Sequence, residues 1–541
     1  MCTALLVGCT STVTRQATAG RTVLTDIATD DSVVDAVPAN ESTTQPTNAD
    51  DQQPVSDQPT STRPRSAQPS AAGPNDVLFP NLGNPGIDVQ SYDLDLSFDP
   101  ADDQLRATVA IELQATSDLD TFSLDNDGPT IERVEIDGKP AAFSQADAKL
   151  TINPARSLGR GDSVTVLIEY HMDTAATGPQ PGGGPMEVGW YNTPDGAYVL
   201  NEPDGTHRYL PSNDHPSDKA TWKVTLRVPS GLTGVANGEL VAHDISAAGA
   251  VWVWREQAPM ATYLLQLLIG KYTIIDDQVP GGPKLVSAVL TEAVAQTEDC
   301  LSTMAEQINF MAKYFGPYPF DQYGLAITDS FGGLGMETQG RSLLSVHDMV
   351  GCPEGPDSLL AHELAHQWFG NAVTPARWRD IWLNESFATY GQWLWSSKDT
   401  SIDLFARDGL RAHRGGTATG NPTVDQMFSA STYDGGATVL HALRLTVGDE
   451  VFFRILQRWV HDNVGTSATT EDFIALAEDM SGTDLTEFFN TWLFSATVPR
   501  AYPTGPHGPA VTSILAPTTV STSTPRSAPT SPPTSSGLVR R

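Results

Sequence analysis

The residues best suited to chemistry are two histidines four positions apart in the run His362-Glu363-Leu364-Ala365-His366. Residues four apart lie on one face of a helix, so both imidazoles can reach the same ion. Zinc accepts imidazole nitrogens and prefers four ligands, and a catalytic zinc site uses three protein ligands and one water. Glu363 lies at the edge of the same face, where its carboxylate can accept a proton from that water. The run therefore predicts a zinc site that performs hydrolysis.

A third protein ligand is available further along the chain. Eighteen residues separate His366 from Glu385, which is enough for one helix to end and for a second to pass beside it. The carboxylate of Glu385 then completes a set of two histidines and one glutamate that holds one zinc ion per chain. Chance alone produces such a run in about one chain in a hundred, and a helix with two surface histidines is the alternative interpretation. The third ligand argues against it.

The elements that must position these residues are predicted to form two domains. From 79 to 275, runs such as 92–98, 108–113 and 164–170 alternate apolar and polar residues, which is typical of strands with one buried face. This part is predicted to be an antiparallel β-rich domain, either a sandwich or a saddle. From 276 to 502 the pattern becomes mostly helical. Helices are predicted at 291–315, 356–370, 380–397, 435–447, 450–464 and 470–480.

Both ends of the chain have the composition of unfolded segments. Residues 10–78 and 503–541 are rich in Thr, Ser and Pro, and they are predicted to be a disordered linker and tail because they bury too little apolar area to offset ordering entropy. At 1–9, the run Leu6-Val7-Gly8-Cys9 resembles a bacterial lipobox, although the basic front and long apolar run of a signal are absent. It is either a truncated signal or a chance match. As a signal, it predicts export to the bacterial envelope, as a cell-surface lipoprotein or a secreted protein.

Composition limits the partners of the chain. Acidic residues number 65 against 32 basic ones, a formal net charge of −33, so nucleic acid and anionic membranes are not expected partners. No run reaches the ~20 apolar residues of a membrane-spanning helix, which leaves a lipid anchor at Cys9 as the one expected contact with a membrane. Cys300 and Cys352 are predicted either to pair in an exported protein or to remain as two buried thiols.

The metal motif and its surroundings resemble the aminopeptidase N family of zinc peptidases, which includes leukotriene-A hydrolase. The matching runs are His366-Gln367-Trp368-Phe369-Gly370-Asn371 and Trp382-Leu383-Asn384-Glu385. The resemblance extends over about residues 85 to 500. It implies a β saddle followed by a thermolysin-like, mostly α catalytic domain. Larger family members have a helical domain that covers the active site, whereas this chain continues after Pro499 as a low-complexity tail, so a more open site is expected.

The resemblance also implies residues that bind the substrate's N-terminus. The family uses a Gly-x-Met-Glu-Asn strand, which Gly335-Met336-Glu337 match 25 positions before His362. Glu337 is expected to bind the α-ammonium group, since a desolvated cation needs an opposite charge. Leu334 and Thr338 depart from the pattern, so the resemblance implies the carboxylate but not the family's backbone contacts to the peptide.

Two further residues complete the site that the resemblance implies. Glu202, in Asn201-Glu202-Pro203, takes the position of the family's second amine-binding carboxylate. Tyr433 takes the position of the tyrosine that stabilises the tetrahedral oxyanion, although the lysine that follows it in the family is Gly435 here. A surface carboxylate and a packed core tyrosine are the alternatives for these two residues.

Together these residues predict a zinc aminopeptidase that acts on peptides with a free N-terminus. A zinc endopeptidase is one alternative, because it would use the same metal ligands. Glu337 and Glu202 argue against it, since an endopeptidase has no need of residues that bind a free N-terminus. A surface protein that only binds peptides is the remaining alternative. The intact Glu363, the three metal ligands and Tyr433 argue against it, because a protein that has lost catalysis usually loses one of these residues.

Overall fold

A computed structural model of the chain describes residues 22–23, 76–181, 187–330, 335–351, 357–412 and 416–504. The strands are β1 Thr22–Val23, β2 Ile87–Asp99, β3 Gln104–Ala115, β4 Phe122–Asp125, β5 Thr130–Ile136, β6 Lys139–Pro140, β7 Ala142–Ala146, β8 Lys149–Asn153, β9 Ser163–Asp173, β10 Gln180–Pro181, β11 Glu187–Thr193, β12 Gly196–Leu200, β13 Lys219–Val228, β14 Thr233–Ala236, β15 Glu239–Ser246, β16 Gly249–Ala261, β17 Leu267–Gly270, β18 Tyr272–Gln278, β19 Lys284–Leu290, β20 Gln322–Tyr323, β21 Leu325–Thr328, β22 Ser342–Ser345, β23 Val373–Pro375 and β24 Thr466–Ala468. The α-helices are α1 Thr174–Thr177, α2 Val294–Phe315, α3 Asp357–Ala365, α4 Trp382–Ser396, α5 Asp403–Ala412, α6 Asp434–Val447, α7 Asp449–Asn463, α8 Thr470–Ser481 and α9 Thr486–Trp492.

The β-rich part is built on an eight-stranded sheet in the order β15-β16-β13-β2-β3-β9-β5-β6. Neighbouring strands are antiparallel except for β2 and β13, which run parallel. Alternate residues of β2, β3 and β9 are buried, because successive side chains of a strand point to opposite faces of the sheet. The strands predicted at 92–98, 108–113 and 164–170 are thus confirmed. Five- and three-stranded sheets, β10-β11-β12-β17-β14 and β4-β8-β7, complete this part.

The α-rich part surrounds its own hydrophobic core. That core includes the apolar faces of α2, α4, α6 and α7. A small sheet in which β19, β21 and β22 run parallel lies between the two parts. β18 also belongs to this sheet and crosses the predicted domain boundary at 275/276, whose exact position stays a prediction. The order of a β-rich part followed by a mostly helical part confirms the predicted fold class.

The observed helices agree with the predicted ones except at their ends. The helix predicted at 356–370 is the clearest error, because α3 ends at Ala365. Gly370 has φ +111°, a conformation that excludes a continuing α-helix, and its N–H donates to the carbonyl of Val373. His366 therefore lies in a turn rather than within a helix. Two helices of the α-rich part, α5 and α9, were not among those predicted.

The predicted ends lie largely outside the described residues. The predicted lipidation site Cys9 and nearly all of the predicted linker and tail lie outside the residues that the structure describes. Asp76 belongs to the predicted linker yet is buried, and its carboxylate accepts a hydrogen bond from the backbone N–H of Trp378. Cys300 is disulfide-bonded, while Cys352 lies outside the described residues. Within the described ranges, no helix is both long and apolar enough to cross a membrane.

Candidate active site

The helix with the first histidine, α3, is anchored at its start. Asp357 is its first residue, and its two carboxylate oxygens accept hydrogen bonds from Gln307 Nε2 at 2.8 Å and from Trp395 Nε1 at 2.6 Å. Gln307 belongs to α2 and Trp395 to the end of α4. The start of the histidine helix is therefore connected to the two helices on which it packs.

The close approach of α3 and α4 brings the third predicted ligand to the histidines. At Gly391 of α4, an added Cβ would lie 2.7 Å from the Cβ of Ala365. Such a distance is well inside van der Waals contact, so the two helices pack closely at the end of α3. Glu385 lies in the first turns of α4 and therefore beside His362 and His366.

The three predicted ligands meet at one point. The Nε2 atoms of His362 and His366 are 3.0 Å apart. Oε2 of Glu385 lies 3.3 Å from the first and 3.4 Å from the second. All three side chains are buried. Burial raises the pKa of Glu385, but the two histidines more than compensate and lower it to about 2, so this carboxylate is ionised.

These residues fit a zinc ion. Oε2 of Glu385 is buried and has no hydrogen-bond partner, although it faces the two ring nitrogens that point toward it. Buried carboxylates are normally satisfied, so an unpartnered oxygen next to two converging imidazoles indicates a cation between them. Two nitrogens and one carboxylate oxygen form the donor set of a catalytic zinc site, with the fourth position left for water.

One amide connects the metal ligands to the rest of the site. Oδ1 of Asn384 accepts a hydrogen bond from Nδ1 of His366. Its Nδ2 donates to Oε1 of Glu337 at 3.0 Å and to Oε1 of Glu202 at 3.1 Å. Asn384 is fully buried. It therefore contacts one metal ligand and both predicted amine anchors.

The two predicted amine anchors reach the site from opposite parts of the fold. Glu202 follows β12 of the β-rich part, whereas Glu337 lies between β21 and β22. The segment around Glu337 is fixed by its neighbour Met336, whose backbone pairs with Leu343 of β22 through both N–H and C=O. Burial and the charge of Glu337 raise the pKa of Glu202 well above its ordinary value. A cation between these carboxylates would relieve that repulsion.

Glu363 lies against a glycine. A Cβ added at Gly335 would be 2.2 Å from the carboxyl carbon of Glu363, so a side chain at this position would displace the predicted base. Burial, opposed by His366 and reinforced by the other carboxylates, raises the pKa of Glu363 well above its ordinary value. The predicted residues Gly335 and Glu363 are therefore adjacent, and the glycine provides the space that the carboxylate occupies.

Tyr433 completes the cluster. Its hydroxyl donates a hydrogen bond to Oε1 of Glu385 at 3.0 Å, and its ring is stacked on that of His362 with centroids 5.9 Å apart. Burial and the nearby Glu385 raise the pKa of Tyr433 well above its ordinary value. The phenol therefore remains protonated and able to donate a hydrogen bond.

Comparison with known families agrees with this geometry. The family model described as "Peptidase M1 N-terminal domain" matches residues 89–264. The model described as "Peptidase family M1 domain" matches residues 300–492. A crystal structure of an M1 zinc metallopeptidase from Deinococcus radiodurans is 30% identical to this chain, with a TM-score of 0.74. The similarity covers 80% of this chain and 99% of that one. This chain belongs to peptidase family M1. Membership identifies zinc as the metal that His362, His366 and Glu385 would hold.

Several M1 relatives are described as aminopeptidases. Aminopeptidase M1 of Arabidopsis thaliana is 29% identical over 56% of this chain and 36% of its own length. Leucyl aminopeptidase of Saccharolobus solfataricus is 27% identical over 75% of this chain and 53% of its own length. The chain thus spans about a third to a half of these curated M1 relatives. A variant of the Deinococcus radiodurans M1 peptidase was solved with a Tyr-Ser-Ala substrate, at 30% identity and a TM-score of 0.72. That similarity covers 79% of this chain and 98% of the other.

The M1 site contains further residues whose roles were not predicted from the sequence. Asn384 was noted only as part of a matching run. Lys219 Nζ donates to the carbonyls of Asn371 and Ala372, and Tyr263 donates to the carbonyl of Gly370 at 2.9 Å. Both donors come from the β-rich part and hold the turn after α3. The available signal was the family-matching run 366–371, in which Gly370 and Asn371 follow the ligand His366 without being reactive groups themselves.

Proposed function

We propose that this M1 chain is a zinc aminopeptidase that hydrolyses the first peptide bond of peptides with a free N-terminus. The observation on which this rests is the pair of carboxylates, Glu202 and the buried Glu337, held by Asn384 beside a metal ligand. Two carboxylates in a site of low dielectric constant are costly unless a cation lies between them. The α-ammonium group of a peptide is such a cation, and binding it places the first peptide bond at the metal.

The residues have distinct roles in the proposed reaction. Bound zinc would polarise the scissile carbonyl and lower the pKa of the attacking water. Glu363 accepts a proton from the water as its oxygen attacks the carbonyl carbon, and it passes this proton to the nitrogen when the C–N bond breaks. The hydroxyl of Tyr433 donates a hydrogen bond to the oxygen that gains negative charge. Glu202 and Glu337 hold the ammonium group throughout.

The test uses a panel of amino-acid 4-nitroanilides, each also prepared with an acetylated N-terminus. We expect strong preference for the free-amine forms, with only residual hydrolysis of the acetylated forms, and loss of hydrolysis on chelation and in Glu337→Gln and Glu202→Gln. Glu112→Gln, which changes an exposed carboxylate of β3, is the matched control and is expected to retain activity. Equal hydrolysis of acetylated substrates would instead support a zinc endopeptidase. Binding of zinc and peptide without hydrolysis would support the peptide-binding alternative.

We further propose that the protein is exported and anchored through Cys9. The lipobox-like run ending at Cys9 and the disulfide-bonded state of Cys300 support this proposal, since disulfides persist mainly outside the cytosol. Expression in a bacterial host with a labelled fatty acid tests it. Label that enters the wild-type protein but not Cys9→Ser supports the anchor, whereas protein that remains unlabelled in the cytosol contradicts it.

A further inference from the structure

Among the described residues, only the side chain of Asn384 forms hydrogen bonds both to a metal ligand, His366, and to the two amine anchors. Its carbonyl oxygen receives the Nδ1 hydrogen of His366, which leaves Nε2 with its lone pair toward the metal position. Its two N–H groups go one each to Glu337 and Glu202. All the hydrogen-bonding capacity of the amide's nitrogen is therefore used on the anchors.

The surrounding backbone is shaped to hold this amide. A Cβ at Gly370 would lie 2.0 Å from Oδ1 of Asn384, so the turn after α3 leaves just enough room for it. Asn371 and Gln367 of the same turn donate to the carbonyl of Glu337 at 2.6 and 3.1 Å. The turn thus contacts both the amide and the backbone of one anchor, and it restricts the rotation of Asn384.

We infer that Asn384 is a positioning residue that sets the distance between the metal ligands and the amine anchors. This inference rests on the proposed function, because it explains how cleavage is limited to the first bond. Two hydrogen bonds in series join His366 to each anchor, so a shift of the amide moves the anchors relative to the metal. Ligand orientation by a neighbouring hydrogen bond typically contributes 10–100-fold to metal affinity.

Two variants separate the contact with the metal ligand from the contacts with the amine anchors. Asn384→Asp keeps an oxygen that accepts a hydrogen bond from His366 but loses both N–H donors to the carboxylates. Asn384→Ala loses the acceptor and both donors. We expect Asn384→Ala to raise the zinc dissociation constant about 10–100-fold, measured by competition with a fluorescent chelator. Asn384→Asp is expected to stay within about threefold of wild type in the same assay, since the ring nitrogen keeps its acceptor.

At saturating zinc, both variants are expected to lose preference for the free amine. The ratio of kcat/KM for a free-amine 4-nitroanilide to that for its acetylated form should fall at least about tenfold, mainly through a higher KM for the free-amine form. Asn237→Ala is the matched control. That buried amide donates to the carbonyls of Leu264 and Gln339, both at 3.0 Å, and its loss is expected to lower stability without changing zinc affinity or the ratio.

The outcomes distinguish this inference from the proposed function. If the wild-type protein strongly prefers free-amine substrates, the proposed function stands whatever the variants do. If the Asn384 variants then keep wild-type zinc affinity and the wild-type ratio, Asn384 has only a structural role and the inference is wrong. If the wild-type protein shows no preference for a free amine, the proposed function fails, and the chelator assay alone still tests the contact with His366.

Discussion

The hydroxyl of Tyr433 donates to Oε1 of Glu385 at 3.0 Å, while Oε2 of the same carboxylate faces both histidines. One carboxylate therefore connects the proposed oxyanion donor to the metal ligand set. Because Tyr433 immediately precedes α6 and Glu385 lies in α4, the packing of these two helices fixes the position of the phenol relative to the metal.

Removing the phenol oxygen is expected to impair the chemical step. Tyr433→Phe should lower kcat about 10²–10³-fold, because one donor to a developing oxyanion is typically worth about 3–4 kcal/mol. KM should change little, since the contact forms in the transition state. Steady-state kinetics on a 4-nitroanilide checks this, and an unchanged kcat would show that the phenol has only a packing role.

Replacing the proposed base should separate zinc binding from hydrolysis. Glu363→Gln has nearly the same shape as the wild type but cannot accept a proton, and we expect a loss of about 10²–10⁴-fold in kcat. Metal analysis after dialysis should still find one zinc per chain, because the three ligands that converge on one point are His362, His366 and Glu385. Zinc loss in this variant would instead place Glu363 in the metal site.

A methyl group at Gly335 should disturb the base without removing any reactive group. The new Cβ would lie 2.2 Å from the carboxyl carbon of Glu363, so Gly335→Ala must move that side chain. A displacement of this size at a reacting group costs about 10²-fold in rate. Gly159→Ala is the control, since its Cβ would meet its nearest neighbour at 3.9 Å, and both variants are compared by kcat/KM.

The buried carboxylate of Glu256 should make stability depend on pH. Burial, partly offset by a backbone hydrogen bond and by Arg341, raises the pKa of Glu256 to about 7. The folded state then binds more protons than the unfolded state between about pH 4.5 and 7, so stability falls as pH rises through this window. Glu256→Gln should remove this group's contribution to the fall and be more stable than wild type by up to about 3 kcal/mol above pH 7.

Urea unfolding of the zinc-free protein at pH 5 and pH 8 measures this difference. The two proteins should differ little at pH 5, where the carboxyl group is largely protonated in the folded state, and most at pH 8. Glu112→Gln replaces an exposed carboxylate and is expected to show no such pH-dependent gain. The same difference at both pH values would exclude the ionisation of Glu256 as its cause.

Removal of zinc should lower the melting temperature. The three buried ligands converge in the folded chain but come from α3, the turn after it and α4, so the unfolded chain binds the ion weakly. Zinc at 100 times its dissociation constant would contribute about 2.7 kcal/mol. Differential scanning calorimetry with and without a chelator checks this, and Glu385→Gln should show a smaller chelator effect than wild type.

The amino-acid sequence alone determined the metal ligands and the order of the two parts of the fold. His362, His366 and Glu385 follow from spacing along adjacent elements, which local geometry controls. Periodicity likewise indicated the strands 92–98, 108–113 and 164–170 and most helices, because one buried face imposes it.

Only the tertiary structure decided how the rest of the site meets. Glu202 precedes Glu337 by 135 positions in the chain, and their common contact with Asn384 arises from packing of the β-rich part on the α-rich part. The turn that follows α3 contains Gly370 in a conformation that an α-helix cannot have, and it is held by donors from Lys219 and Tyr263. Contacts between residues so distant along the chain leave no periodic signal in it, since they form only when separate elements pack together.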